Sequence, residues 1–389
     1  MGPLDGLQVI EIAGLGPVPF AAMMLADMGA SVIRIDRLAP SAGGIDSRLT
    51  AGADRQPINR GRRSIAANLR DPRGQEIVLR MVERSDALIE GFRPGVVERL
   101  GIGPEQCHAR NPRLVYGRMT GWGQQGPLAS SVGHDINYIA VAGALANFAR
   151  VGQPPIAPLN LVGDYGGGGM LLAFGVLCGV IEAQRSGEGQ VVDAAMIDGV
   201  AAMLVNVYGR LAQGEWREPP GTNHVDSGSP WYDVYETADG RYLAVGAMEV
   251  KFYRTFVEGL GLVVDQFPQW DRARWPEQKA EVARRLMTRS RDEWCREFDG
   301  KEACVAPVLG LAEAPEHPHN RSREMFVTRD GVVQPSPAPR FSRTPPELPG
   351  PPTGPGADTD AILDELGFSA AEVDGLRGDG VVAGAPAVP

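Results

Sequence analysis

GLQVIEIAGLGPVPFAAMMLADMGASVIRID, from Gly6 to Asp36, decides the fold class. Leu7–Ala13 is apolar and β-branched, Phe20–Met28 is made of helix formers, and Ala30–Ile35 returns to the strand texture. A strand, a helix and a second strand in so short a span form a βαβ unit, and such units build parallel sheets. The glycine turn Gly14-Leu15-Gly16-Pro17-Val18-Pro19, with Asp36 about twenty residues on, invites a dinucleotide reading. Pro19 stands where the third glycine should be, and Pro17 removes a backbone N–H that a pyrophosphate would use. The turn therefore reads as a tight strand-to-helix connection.

Outward from that unit the pattern continues. Arg63–Leu69, the helix Gly74–Arg84, the strand Ala87–Glu90 and the strand Leu114–Met119 extend the sheet, and Gln190–Met196 runs from a strand into a helix reaching Gln213. Pro219-Pro220-Gly221 reads as a linker. The expected organisation is an α/β, Rossmann-like parallel-sheet domain over 1–220 and a smaller inserted α+β domain over 221–330. The latter carries short strands at Trp231–Glu236 and Tyr242–Gly246, with charged helices between Val250 and Phe298. Residues 331–389 form a return to the large domain. Its proline run Gln334–Gly356 excludes helix or inner strand, Asp358–Leu366 reads as a helix stopped by Gly367, and 381–389 reads as a disordered tail.

Composition sets bounds. A chain of 389 residues is longer than the ~250–300 at which single cores stop growing. The net charge of −10 argues against a nucleic-acid-binding face, which would be basic, and leaves room for a local basic patch against one anionic ligand. Cys107, Cys178, Cys295 and Cys304 show no metal or redox spacing and read as buried thiols. The amino-terminal residues lack a secretory pattern, and the most apolar segment, Gly169–Ile181, is shorter than the ~20 residues of a membrane span. A cytoplasmic protein without a membrane partner is expected.

Two runs carry the chemistry: Ser131-Val132-Gly133-His134-Asp135-Ile136-Asn137-Tyr138 and Gly163-Asp164-Tyr165-Gly166-Gly167-Gly168-Gly169. They offer an imidazole and a carboxylate on glycine-set turns. Inverting a carbon acid requires removing a proton from one face and returning one to the other, so a base on each side is the minimal machinery. Taken singly, His134 reads as a hydrogen-bonded structural histidine and Asp164 as an N-cap before a helix from Met170. The glycines after Asp164 would let a ligand carbonyl approach the backbone closely.

GHDINY (133–138), LVGDYGGG (161–168), EGFRPGV (90–96), GQVVDAAMIDG (189–199) and the opening run together resemble the α-methylacyl-CoA racemases of the class III CoA-transferase superfamily, over roughly residues 1–345. The resemblance implies cofactor-free, metal-free racemisation of 2-methylacyl-CoA thioesters, coenzyme A being part of the substrate. His134 and Asp164 would be the two bases. The backbone N–H of Asp135, with Tyr138 nearby, would hold the enolate oxygen, since a carboxylate or imidazole alone is too weak a base for a thioester α-C–H. Glu249 would reach His134 from the partner subunit of an interlocked homodimer. Arg37, Ala67, Arg70 and Arg93 would bind coenzyme A, joined by Arg62 and Arg63, and Met170 and Met196 would give the acyl tail a pliable surface. His224, His317 and His319 have no matching role and read as surface or interface residues. Two alternatives stand beside this: a CoA-transferase using Asp164 as nucleophile, and a non-catalytic acyl-CoA-binding protein. The stretch Ala39–Pro57 and the chain after Arg343 depart from the family pattern and leave the acyl group open.

Overall fold

The computed structural model describes residues 2–38 and 55–384. Most of the Ala39–Pro57 stretch and the last five residues of the expected tail lie outside the described residues. The chain divides into two compact units: residues 1–142, 159–203 and 326–389 form the first, and 143–158 with 204–325 form the second.

The first unit is built on a seven-stranded sheet. β1 (Gln8–Ile12), β2 (Ser31–Asp36), β3 (Arg62–Ala67), β4 (Ala87–Glu90), β5 (Val115–Thr120) and β6 (Val191–Ala195) run parallel in the order 3-2-1-4-5-6, and a short C-terminal strand, Val382–Ala383, adds antiparallel to the outer edge of β3. Alternation along β1 feeds two cores. Val9 faces α1 (Pro17–Asp27) and the long helix Leu171–Ser186, whereas Ile10 and Ile12 face α2 (Pro72–Val82) and the helices Thr359–Glu365 and Ala370–Gly378. Each fully buried aliphatic side chain in these layers contributes about 1.5–3 kcal/mol. α2 starts on Asp71, whose side chain accepts from the Arg73 amide at 2.9 Å, with Pro72 at its first turn.

Between β5 and β6 the chain makes α3 (Asp135–Val141) and then a continuous helical run of 26 residues, Leu161–Ser186. Its first ten residues are π-helical and the rest form α4 (Leu171–Ser186), after which α5 (Met196–Met203) leaves β6. This run is twice as long as the apolar segment read from sequence, and it is long and apolar enough to cross a membrane. Half of its most apolar stretch is buried, and α4 packs on β5, β6 and α1 as a core helix does.

The return segment closes the outer edge of the sheet. Gly61 donates to the Gly350 carbonyl at 2.9 Å, Thr353 Oγ1 donates to the Arg62 carbonyl at 3.1 Å, and Ser64 Oγ accepts from the Gly356 amide at 2.8 Å.

The second unit holds an antiparallel sheet, β7 (Tyr232–Glu236), β8 (Tyr242–Gly246) and β9 (Val305–Pro307), with α6 (Val250–Gly259), α7 (Trp275–Leu286) and α8 (Arg291–Phe298) around a core of Trp231, Trp275, Trp294 and Phe256. Residues 143–158 group here through Arg150, which pairs at 2.8 Å with the buried Asp233, itself 2.6 Å from Lys279. Residues 204–220 group here too, Trp216 being buried and the Arg217 amide donating to Asn223. His224, expected at the surface, is 3% exposed between Trp216 and Trp270, and burial lowers its pKa. All four cysteines are free. Only Cys107 is fully buried, its thiol pushed up to about 12 by burial, while Cys178 and Cys304 are exposed, contrary to the buried thiols expected.

Candidate active site

The strand order reverses between β1 and β4, and ligands of open α/β sheets gather outside the carboxyl ends of the strands at such a switch point. The loops leaving β1, β4 and β5 all begin with glycines that make room. Gly16 has φ 67°, and a Cβ there would stand 3.0 Å from Asp164 Oδ2. A Cβ on Gly91 would meet Val18 at 2.9 Å, and one on Gly121 would collide with the Tyr138 ring.

α3 presents the histidine. His134 is its N-cap, exposed, with its amide donating to Asn137 Oδ1 at 3.0 Å. As the first helical residue, Asp135 has an amide with no acceptor inside the helix. Its side chain is 6% exposed, and Oδ2 accepts from the Asp164 amide at 2.7 Å while Oδ1 has no partner. This bond ties the turn carrying the imidazole to the helix carrying the carboxylate. The Tyr138 O–H donates to the Gly133 carbonyl and the ring meets Trp122 edge-on at 4.8 Å, so the side chain braces the histidine turn.

Asp164 lies in the first turn of a helix that already begins at Leu161, so it is not the N-cap of a helix from Met170. The π-helical spacing, one residue wider per turn, is a frequent mark of functional sites. It also spends the glycines. Gly167 packs on Val200 and Met196, Gly168 on Met196 and Pro17, and Gly169 on Phe20 and the Pro17 carbonyl. Close approach is real, but α1 and α5 make it and not a ligand. Met196 belongs to this packing at 7% exposure, and Met170 is half exposed.

Burial raises the Asp164 carboxyl above its ordinary pKa. The Asn160 amide, donating to Oδ2 at 3.1 Å, opposes the rise, the Asp135 charge adds to it, and His134 lowers it. His134, Asp135 and Asp164 thus lie within electrostatic reach of one another. Arg93 acts on Tyr138 in the same way, which brings the loop after β4 to the same crevice.

The arginines divide by position. Arg37 follows β2, Arg70 follows β3 and Arg93 follows β4, all exposed at carboxyl ends, with Ala67 the buried last residue of β3. Arg62 and Arg63 instead begin β3. Arg62 is fully enclosed, pairing with Glu11 at 3.0 Å and donating to the carbonyls of Pro19, Ile58 and Arg60. Desolvation pushes its pKa down, with Glu11 opposing. With four of its five N–H donors engaged and its side chain enclosed, it does not face a ligand, contrary to the coenzyme A contact expected. Arg63 spends both terminal nitrogens on Glu365, at 2.8 and 2.9 Å. Glu249, in the second unit, is exposed at the N-terminus of α6, where its carbonyl accepts from the Tyr253 amide at 2.9 Å. Asn160 and Asn137 were not singled out from sequence. The first sits four residues before Asp164, a spacing that signals contact only once the segment is known to be helical.

An imidazole and a carboxyl within electrostatic reach, with exposed arginines after β2, β3 and β4, stand at the carboxyl edge of a doubly wound α/β sheet. The model of the CoA-transferase family III matches residues 4–359, and the chain belongs to that family. The alpha-methylacyl-CoA racemases of Homo sapiens and Mus musculus are each 42% identical to it, over 383 and 384 residues, with 97% of this chain and 97% of each relative covered. Among solved structures, a CAIB/BAIF family protein from Brucella suis superposes with a TM-score of 0.79 at 26% identity, covering 94% of this chain and 99% of that one.

Proposed function

We propose that the chain interconverts (R)- and (S)-2-methylacyl-CoA thioesters by abstracting and returning the α-proton through an enolate. The observation that carries this reading is the juxtaposition of His134 and Asp164, tied by the Asp135–Asp164 bond, at the carboxyl edge of the sheet. The similarity to two racemases over nearly the whole chain supports it.

In this reading one base takes the proton and the other, in its acid form, returns one to the opposite face. The raised Asp164 carboxyl suits the task, because a carboxyl that holds its proton to higher pH approaches the range where imidazole titrates. The free Asp135 amide is placed to receive the enolate oxygen, and a preorganised donor of this kind is worth about 3–4 kcal/mol. Arg37 would lie against the adenine of coenzyme A while Arg70 and Arg93 engage its phosphates, and Arg63 would join them only by leaving Glu365. Glu249 is proposed to support the imidazole from a second copy of the chain in a homodimer, its exposed carboxylate being free of a bonded partner among the described residues.

Incubation with (R)- and (S)-2-methylacyl-CoA esters in deuterium oxide tests this. Deuterium entering the α-position with loss of optical purity is expected. Transfer of CoA to free acids with the α-carbon still protiated would replace the reading with nucleophilic catalysis by Asp164, and binding with neither reaction would leave an acyl-CoA-binding protein.

A further inference from the structure

Glu90 is a fully buried carboxylate that the proton-transfer scheme does not use. It ends β4, and the next five residues, Gly91 to Gly95, form the loop that displays Arg93. Glu90 Oε2 accepts from the Phe92 amide at 2.6 Å, and Oε1 accepts from Arg118 Nε at 3.2 Å. Arg118, level with Glu90 on β5, reaches past the loop to Glu98 at 2.7 Å, in the short helix Val96–Arg99 that ends it. One ionic chain, buried at Glu90 and Arg118 and exposed at Glu98, therefore holds both ends of the loop. Inside it, Gly91 lies against Val18, and Gly95 has φ 80°, where a side chain would be strained. The loop's shape thus rests largely on the Glu90 and Arg118 bonds.

We infer that Glu90 is a positioning residue: its ionised carboxylate sets the 91–95 loop so that Arg93 meets an anionic group of the CoA ester, and protonation releases it. This rests on the CoA reading above. Burial raises the Glu90 carboxyl to about 7, opposed by the Phe92 amide and Arg118. The charged and titratable groups facing it are Arg118 and Tyr116 from β5 and Glu98 from the following helix, and the element packed on the adjoining Gly91, α1, presents the apolar Val18. Above about 7 the Phe92 and Arg118 bonds are charge-assisted, and below it they weaken. Ionisation is held at the expense of the fold, since a carboxyl raised in the folded state lowers stability as pH climbs from the ordinary carboxyl range through that value. Arg118 keeps Glu98 when Glu90 is neutral, so the loop loosens without stranding a buried cation.

Calorimetric titration of the full chain with free coenzyme A at pH 6 and pH 8, for wild type and Glu90→Gln, tests this. Wild type should bind about five- to tenfold more weakly at pH 6, the size expected for losing a charge-assisted bond. Glu90→Gln should bind more weakly than wild type at pH 8 and change less than wild type between the two values. Its remaining slope measures the 3′-phosphate of the ligand, which ionises in the same range. Parallel profiles for the two proteins overturn the role of Glu90 alone, and wild type that binds no coenzyme A at either pH overturns the CoA reading with it. Should the variant not fold, hydrogen exchange of the Phe92 amide in wild type decides: protection, corrected for intrinsic rate, should fall below pH 7, and constant protection overturns the inference.

Discussion

Two regions of the first unit use arginine in opposite ways. Against α1, Arg60 and Arg62 are buried and each engages four of its five N–H donors: Arg60 holds Asp27 at 2.5 and 2.8 Å and donates to Gln334 and Pro335, and Arg62 holds Glu11 and three carbonyls. At the carboxyl ends of β2, β3 and β4, Arg37, Arg70 and Arg93 keep their heads exposed. The first set is architecture, joining β1, α1, the turn Pro57–Asn59 and the strand Val332–Pro335. The second has binding capacity to spare. What separates them is which end of a strand each residue occupies, more than residue type or local sequence.

The contrast breaks most visibly at Arg62. Replacing it by alanine leaves Glu11 charged, buried and already short of one partner, and should cost about 3–5 kcal/mol of stability. Urea denaturation reads this, and a loss under 1 kcal/mol would mean that water reaches Glu11. Arg93→Ala should leave the urea midpoint near wild type and weaken coenzyme A binding about tenfold, as loss of one charge-assisted contact does.

A subtler separation concerns pH. Because burial raises the Asp164 carboxyl, exchange that needs its carboxylate should fail on the acid side at a pH above the ordinary carboxyl range. The Asn160 bond favours the charged form, so Asn160→Leu should move that limb further up. A limb that stays in place or moves down would remove Asn160 from the site. The smallest effect belongs to Arg63→Ala: its pair with Glu365 is largely exposed and should contribute about 0–1 kcal/mol, which denaturation at low and high salt would bracket.

How far the sequence carries follows from the same comparison. The βαβ unit of Gly6–Asp36 was legible because period-2 apolar runs, helix formers and a glycine turn agree at every level. The GHD turn and Asp164 were legible as chemistry because their residue types are specific to it. Arg62 was not, since its burial depends on Glu11, Pro19 and Ile58 arriving from other elements. The helix over Leu161–Met170 was hidden for a related reason. Four consecutive glycines oppose helix by propensity, and only the close packing of α1 and α5 against their bare backbone outweighs that cost. The bond from the Tyr138 hydroxyl to the Gly133 carbonyl was not legible, because a hydroxyl's acceptor cannot be read from its neighbours in sequence.

The central claim, two bases acting on opposite faces of one carbon, is tested most directly by deuterium uptake in Asp164→Asn and His134→Ala, each offered the separate 2-methylacyl-CoA enantiomers. Neither variant should invert the centre. Each should still exchange the α-hydrogen of one enantiomer, and the two should choose opposite ones. Loss of exchange with both enantiomers in both folded variants, or a wild-type protein that moves CoA between acids while the α-carbon keeps its hydrogen, would contradict the account.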